Sequence, residues 1–171
     1  MLIINDSELV VTTRRPHLVT ECIPKSRIID TNGDLYRVSV NWGLDEAQTL
    51  AQLRVKKVPS PILRDYKWPG VFPPMAHQKE TASFLTLNKR SFCFNEQGTG
   101  KTASAIWAAD YLMSIGRIKR ALIISPLSIM QSAWQADLFK FAVHRKVGIA
   151  YGDRTKRKAV INSDADFVVI N

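Results

Sequence analysis

The run Asn95-Glu96-Gln97-Gly98-Thr99-Gly100-Lys101-Thr102 constrains this chain more than any other stretch. It follows the phosphate-loop pattern GxxxxGK[ST] at every fixed position except the first, where Asn95 stands in place of Gly. An apolar run, Ser91–Phe94, precedes it and reads as a short buried strand. A helix-like run from Gly100 to about Ser114 follows. Strand, glycine-bearing loop and helix in that order are what the pattern needs. Glycines at 98 and 100 let backbone amides turn inward around phosphate oxygens, and the helix start adds unpaired N–H groups and the positive dipole end. The reading is a nucleotide site lined by Gln97, Gly98, Thr99, Gly100, Lys101, Thr102 and Ala103. Lys101 is expected to reach the β- and γ-phosphates, and the Thr102 hydroxyl to ligate Mg²⁺.

The residues around the loop alternate between strand-like and helix-like runs. His77–Leu87 reads as a helix, 121–125 (ALIIS) as a strand, Ser128–Phe141 as a helix and 146–151 (KVGIAY) as a strand. Thr155–Asn162 reads as helical and 166–170 (DFVVI) as a last strand. Short apolar strands separated by helices predict a parallel sheet covered on both faces. Upstream the pattern differs. Glu8–Thr13 is a strand candidate, a helix-like stretch runs from Arg15-Pro16 to Cys22, and Asn32-Gly33 favours a hairpin turn between 27–30 and 35–40. Asp45-Glu46 then opens an amphipathic helix carrying Leu50 and Leu53. The expected organisation is a small α/β accessory domain over 1–58, a Pro-rich linker over 59–74, and a phosphate-loop α/β domain over 75–171.

Charge narrows the partners. Lys and Arg number 24 against 15 Asp and Glu, a net +9. Residues 1–68 hold 10 of those cations against 8 acids, so the remaining 14 against 7 lie with the phosphate loop. A polyanion such as nucleic acid and plain solubility both account for this excess. Cys22 and Cys93 lack metal-ligand spacing, and Cys93, inside its apolar run, reads as a buried thiol. The start, Met1 to Asp6, has neither a basic region nor a long apolar run, so no leader peptide is expected. No apolar run approaches a membrane span. A cytoplasmic setting, bacterial or in an infected host, is the expectation.

Together with two further stretches, the loop resembles that of superfamily-two helicases, and within them the Swi/Snf-related ATPases, including short phage-encoded members. In that family the first Gly of the loop is often replaced, as it is at Asn95. The stretch 72–78 (FPPMAHQ) resembles the family's Q motif and lies just over twenty residues before Lys101. The resemblance implies that the Gln78 amide reads the adenine edge, an amide offering donor and acceptor together. Phe72 reads as a core residue, with base stacking by Phe72 or Tyr66 as the other use. The stretch 121–141 (ALIISPLSIMQSAWQADLFKF) resembles motif Ia, which implies nucleic-acid contacts by Ser125, Pro126 and Ser128. Ser128 also reads as a helix N-cap and Trp134 as core. The stretch 151–158 (YGDRTKRK) is similar to a basic helix of the family, and two uses of Arg154, Lys156, Arg157 and Lys158 compete: binding a phosphate backbone, or forming a solvated helix face.

The resemblance covers about residues 70–171. It implies a RecA-like fold, ATP and Mg²⁺ as cofactors, DNA and a second RecA-like domain of the same chain as partners, and ATP-driven helicase or translocase activity. Hydrolysis of this kind needs a carboxylate pair after an apolar strand. Asp110, Asp137 and Asp153 lie in the wrong context for it, and Asp166 precedes a strand. No arginine finger is recognisable either. The expectation is therefore the incomplete N-terminal part of such an ATPase, binding nucleotide and hydrolysing it negligibly alone. A non-enzymatic nucleotide- or nucleic-acid-binding module is the alternative. A phosphate-loop kinase is a third reading, against which Gln78 and the 125–134 stretch count.

Overall fold

The computed structural model describes residues 2–4 and 7–171. Met1, Asn5 and Asp6, on which part of the expectation about the chain's start rests, lie outside the described residues. The chain forms two compact units, Met1–Tyr66 with Ser83–Ser91, and Lys67–Ala82 with Phe92–Asn171.

The first unit is built on an antiparallel sheet. Strands β1 (Leu2–Ile4), β2 (Glu8–Thr13), β3 (Arg27–Asn32) and β4 (Leu35–Asn41) stand in the order β1-β2-β4-β3. The hairpin between β3 and β4 pairs Asn32 with Leu35, which leaves Gly33-Asp34 as the two-residue loop. The turn thus sits one position later than the Asn-Gly pair predicts, with the positive φ, +58°, carried by Gly33. Helices α1 (Pro16–Cys22), α2 (Leu44–Gln52) and the short α3 (Ile62–Asp65) complete the unit. Its buried residues include Leu9, Val10, Val38, Val40, Ala47, Leu50 and Ile62. Polar groups inside it are satisfied locally: Trp42 Nε1 donates to Pro59 O at 2.8 Å, and Ser60 Oγ and Thr86 Oγ1 are 2.7 Å apart.

The second unit is α/β. Helix α4 (Ala76–Leu87) begins in it, followed by the loop 92–100 and α5 (Lys101–Ser114). Strands β5 (Ala121–Ile124), β6 (Val147–Ala150) and β7 (Phe167–Ile170) pair in parallel in the order β5-β7-β6. Between β5 and β6 the chain makes a 3₁₀ turn (Leu127–Ile129), a π-helical stretch (Met130–Gln135) and α6 (Ala136–Phe141); α7 (Arg154–Ile161) lies between β6 and β7.

Alternation along β7 divides the packing. Phe167 and Val169 face a core with Ile106 and Met113 of α5, Met130 and Leu138. Val168 faces the other way, against Ala150, Ala165 and Val160 of α7. Helices therefore flank the parallel sheet on both faces, but on the α7 side they cover only β6 and β7, and Leu122 and Ile124 of β5 stay 63% and 75% exposed. Gly148 lets α7 approach β6 closely, since a Cβ there would come within 2.7 Å of Val160 Cγ1. Asp110 of α5, 2% exposed, accepts from Arg145 Nε at 2.5 Å and His144 Nε2 at 3.0 Å, which fixes the helix to the entry of β6.

Five expectations are corrected. Ser91–Phe94 is not a strand: no described strand lies beside it, so its backbone has no ladder, and Phe92 and Phe94 stand 80% and 88% exposed with their rings stacked on each other at 5.6 Å. For the same reason Cys93 is only half-buried. Ser128–Phe141 is not one α-helix and Ser128 is not its N-cap, because the 3₁₀ turn already contains Ser128 and the π turn follows. Met130, Trp134 and Leu138 recur every fourth residue, and the wide π turn takes back the drift that this spacing accumulates in a 3.6-residue helix, so all three reach one core. Phe72, finally, is 63% exposed and not a core residue.

Candidate functional site

The phosphate-loop residues come together at the start of α5. Gly98 and Gly100 have φ of +81° and +76°, the left-handed region that glycine enters without a Cβ clash. Ser104 N is the first amide to donate back along the helix, to Gly100 O at 3.1 Å. The amides of Lys101, Thr102 and Ala103 precede that bond and have no acceptor within the helix. Space is open where a Cβ on Gly98 would project. A loop of this shape, with three amides at a helix start, fits a polyphosphate. Lys101 Nζ lies over the loop, donating to Asn95 O and Glu96 O at 2.8 Å each. Thr102 sits in the first turn, half-buried. Ala103 is buried, so only its amide faces the loop chemistry.

Gln78 packs directly on this loop. Its Oε1 accepts from Met75 N at 3.0 Å, which fixes the amide's orientation, and its Nε2 donates to Thr99 O at 3.4 Å. One further N–H and one lone pair remain on the amide for a ligand. His77, which the sequence reading left unassigned, places Nε2 3.0 Å from the same Thr99 carbonyl. One more residue, Thr81, was not legible as a site component, nor was its bond to Asn95: Asn95 Nδ2 donates to Thr81 Oγ1 at 2.8 Å, and Thr81 Oγ1 donates to His77 O at 2.8 Å. The available signal was the side chain of Asn95 itself, standing where the pattern has Gly.

The nucleic-acid candidates share one edge of the sheet. Because the strands are parallel and Ile124 and Ala150 both pair with Ile170, the segments that follow β5 and β6 leave the same carboxyl-terminal edge. Ligands of open α/β sheets bind at that edge. Ser125 and Pro126 leave β5 there, and Tyr151 to Arg154 leave β6. A cavity of about 180 Å³ lined by Leu127, Met130, Gln131, Ile149 and Tyr151 lies between the two segments. Ser125 is 6% exposed, with its hydroxyl directed to Pro126 O at 3.5 Å, whereas Pro126 and Ser128 are exposed.

Helix α7 separates the four cations that the sequence grouped. Asp153 caps it, accepting from Lys156 N at 2.9 Å. Arg154, Arg157, Lys158 and Ile161, spaced i, i+3, i+4 and i+7, share one face and line a cavity of about 300 Å³. Lys156 points elsewhere and pairs with Asp153 at 3.8 Å. The four acids after Lys101 named above are engaged away from the loop: Asp110 with Arg145 and His144, Asp137 with Lys140, Asp153 at the helix cap, and Asp166 with Lys146 N.

Against solved structures, the chain is similar to the Sulfolobus solfataricus SWI2/SNF2 ATPase core in complex with dsDNA, with 25% identity and a TM-score of 0.50 over 60% of this chain. The fold is helicase-like and RecA-type. The chain spans 22% of the length of that ATPase core. No protein-family model and no curated protein matches it. Among the described residues no helix is long and apolar enough to cross a membrane.

Gly100→Ala tests the loop geometry. A Cβ at Gly100 would meet Gln78 Nε2 at 2.2 Å, and φ of +76° strains any L side chain. The variant should lose about 1–2 kcal/mol in urea unfolding. Because Gln78 can move and φ cannot, most of that loss should persist in Gly100→Ala/Gln78→Ala. Full recovery in the double variant would mean that crowding, not backbone conformation, selects glycine.

Proposed function

We propose that residues 1–171 carry the nucleotide-binding part of an ATP-dependent nucleic-acid motor of the Swi/Snf-like type, a DNA helicase or translocase. The observation that carries this reading is the loop 95–102 with its left-handed glycines, three helix-start amides and Lys101. The likeness to an ATPase core solved with duplex DNA supports it at the level of fold.

In this reading the amides of Lys101 to Ala103 hold the phosphates, and Lys101 leaves the carbonyls of Asn95 and Glu96 for the β- and γ-oxygens. Thr102 would supply one hydroxyl ligand to Mg²⁺. Bound Mg²⁺ would neutralise phosphate charge. Gln78 reads the base with the donor and acceptor left to its amide. DNA lies along the carboxyl-terminal edge, contacted by Pro126, Ser128 and the Arg154/Arg157/Lys158 face, with Ser125 acting through its backbone. Hydrolysis draws on carboxylates other than Asp110, Asp137, Asp153 and Asp166, and on a second RecA-like domain, in the whole protein. The phage-type assignment rests only on the sequence resemblance.

Binding of fluorescently labelled Mg·ATP to this chain should weaken at least about tenfold in Lys101→Ala, the size expected for losing a charged hydrogen bond to phosphate. Equal affinity in both would remove the nucleotide reading.

For DNA, the salt dependence of binding separates the α7 faces. Replacing Arg154, Arg157 and Lys158 together by Ala should flatten the slope of log affinity against log salt by about 2–3 units. Lys156→Ala should change it by less than about half a unit, since that lysine faces away and pairs with Asp153. Equal effects per charge at all four positions would mean that the helix acts only through its net charge.

A further inference from the structure

Asn95 occupies the one loop position that departs from the phosphate-loop pattern, and its side chain is not idle. Its amide donates to Thr81 Oγ1 at 2.8 Å. Thr81 is 8% exposed and its single hydroxyl proton goes to His77 O at 2.8 Å. That leaves the Thr81 oxygen with lone pairs only, in a place where water has little access, so it needs a donor. Asn provides one; Gly has no side chain, and an ionised Asp has no proton to give. The same helix turn reaches the other side of the loop through His77 and Gln78, both on Thr99 O. Asn95 also presents the main-chain carbonyl on which Lys101 rests.

From this network we infer that Asn95 and Thr81 are positioning residues for the phosphate loop. Their hydrogen bond fixes the entrance of the loop to the first turns of α4, as His77 and Gln78 fix its exit, and it sets the place from which Lys101 reaches a phosphate. The inference rests on the nucleotide reading above and adds to it two residues that touch neither base nor phosphate. It also assigns a use to the substitution at position 95: the Cα freedom of glycine is exchanged for a tether. A helix turn wired to both ends of the loop holds the amides of Gly98 to Thr102 in one arrangement before a ligand arrives, which lowers the ordering cost of binding.

The test is a double-mutant cycle on the whole 171-residue chain, with labelled Mg·ATP as probe and the nucleotide-free unfolding midpoint recorded for each variant. Asn95→Ala and Thr81→Val should each weaken binding by about 3- to 10-fold, and the double variant by no more than the worse single. Thr81→Ser keeps the hydroxyl and should bind within about twofold of the wild type. Unlabelled adenosine, which has no phosphates, should compete equally well with every variant's labelled ligand. The inference is overturned if the two losses multiply, if either single variant binds normally, if Thr81→Ser is as weak as Thr81→Val, or if adenosine binding falls in step with ATP. Lys101→Ala in the same assay separates the two levels. Weak binding by Lys101→Ala with an additive cycle removes only the tether, whereas normal binding by Lys101→Ala removes the nucleotide reading and the tether with it.

Discussion

Between Ser91 and Gly100 the backbone has no strand ladder, so the shape of the phosphate loop depends on hydrogen bonds from the start of α4. His77, Gln78 and Thr81, all within the first two turns of α4, reach Thr99 and Asn95. A ladder would spread the work of holding the chain over many backbone pairs. Here three or four side-chain bonds do it, each contributing about 1 kcal/mol. The consequence is a loop whose conformation is specified by a small set of named atoms, and therefore one that single substitutions can loosen without unfolding the sheet.

Behind the loop, α5 is held more conventionally. Ile106 and Met113 sit in the main core with Phe167 and Val169, and Trp107 donates to Pro69 O at 2.7 Å while its ring meets Trp68 and Phe141 edge-on. The buried Asp110–Arg145 pair adds a fixed polar contact on the same helix. The helix that starts at the phosphate loop is thus packed against the sheet whose edge carries Pro126, Ser128 and the start of α7. In the proposed motor, that packed helix is the physical link through which nucleotide at Lys101 and nucleic acid at the sheet edge would be coupled. The link is rigid in kind: apolar side chains at close packing, not a flexible segment.

Much of this was legible in the sequence because local chemistry determines it. A Gly-x-Gly-Lys-Thr run can do few things at a helix start, and the apolar strands 121–124, 147–150 and 167–170 alternate with helices as a covered parallel sheet requires. Other parts depend on distant residues and were not legible. Ser91–Phe94 has the composition of a strand, yet a strand exists only with a partner, which no residue within the run can reveal. The π turn at 130–135 follows from the core's demand for Met130, Trp134 and Leu138 on one face, and Ser128, which has the residue type of an N-cap, disguises it as an ordinary helix start. The Asn95–Thr81 bond joins residues 14 apart, and neither residue type announces it. The division of the α7 cations into a shared face and a self-paired Lys156 needed only helical spacing and the Asp153 cap, and was within reach of the sequence.

In the proposed site the amides around Lys101 hold the phosphates of a nucleotide. Backbone amide NMR of the ¹⁵N-labelled chain, titrated with Mg·ATP and then with adenosine, measures this directly. The amides of Gly98, Gly100, Lys101, Thr102 and Ala103 should move most with Mg·ATP and hardly at all with adenosine. If those amides stay in place at saturating Mg·ATP, or the largest changes fall away from residues 95–103, the loop does not hold the phosphates.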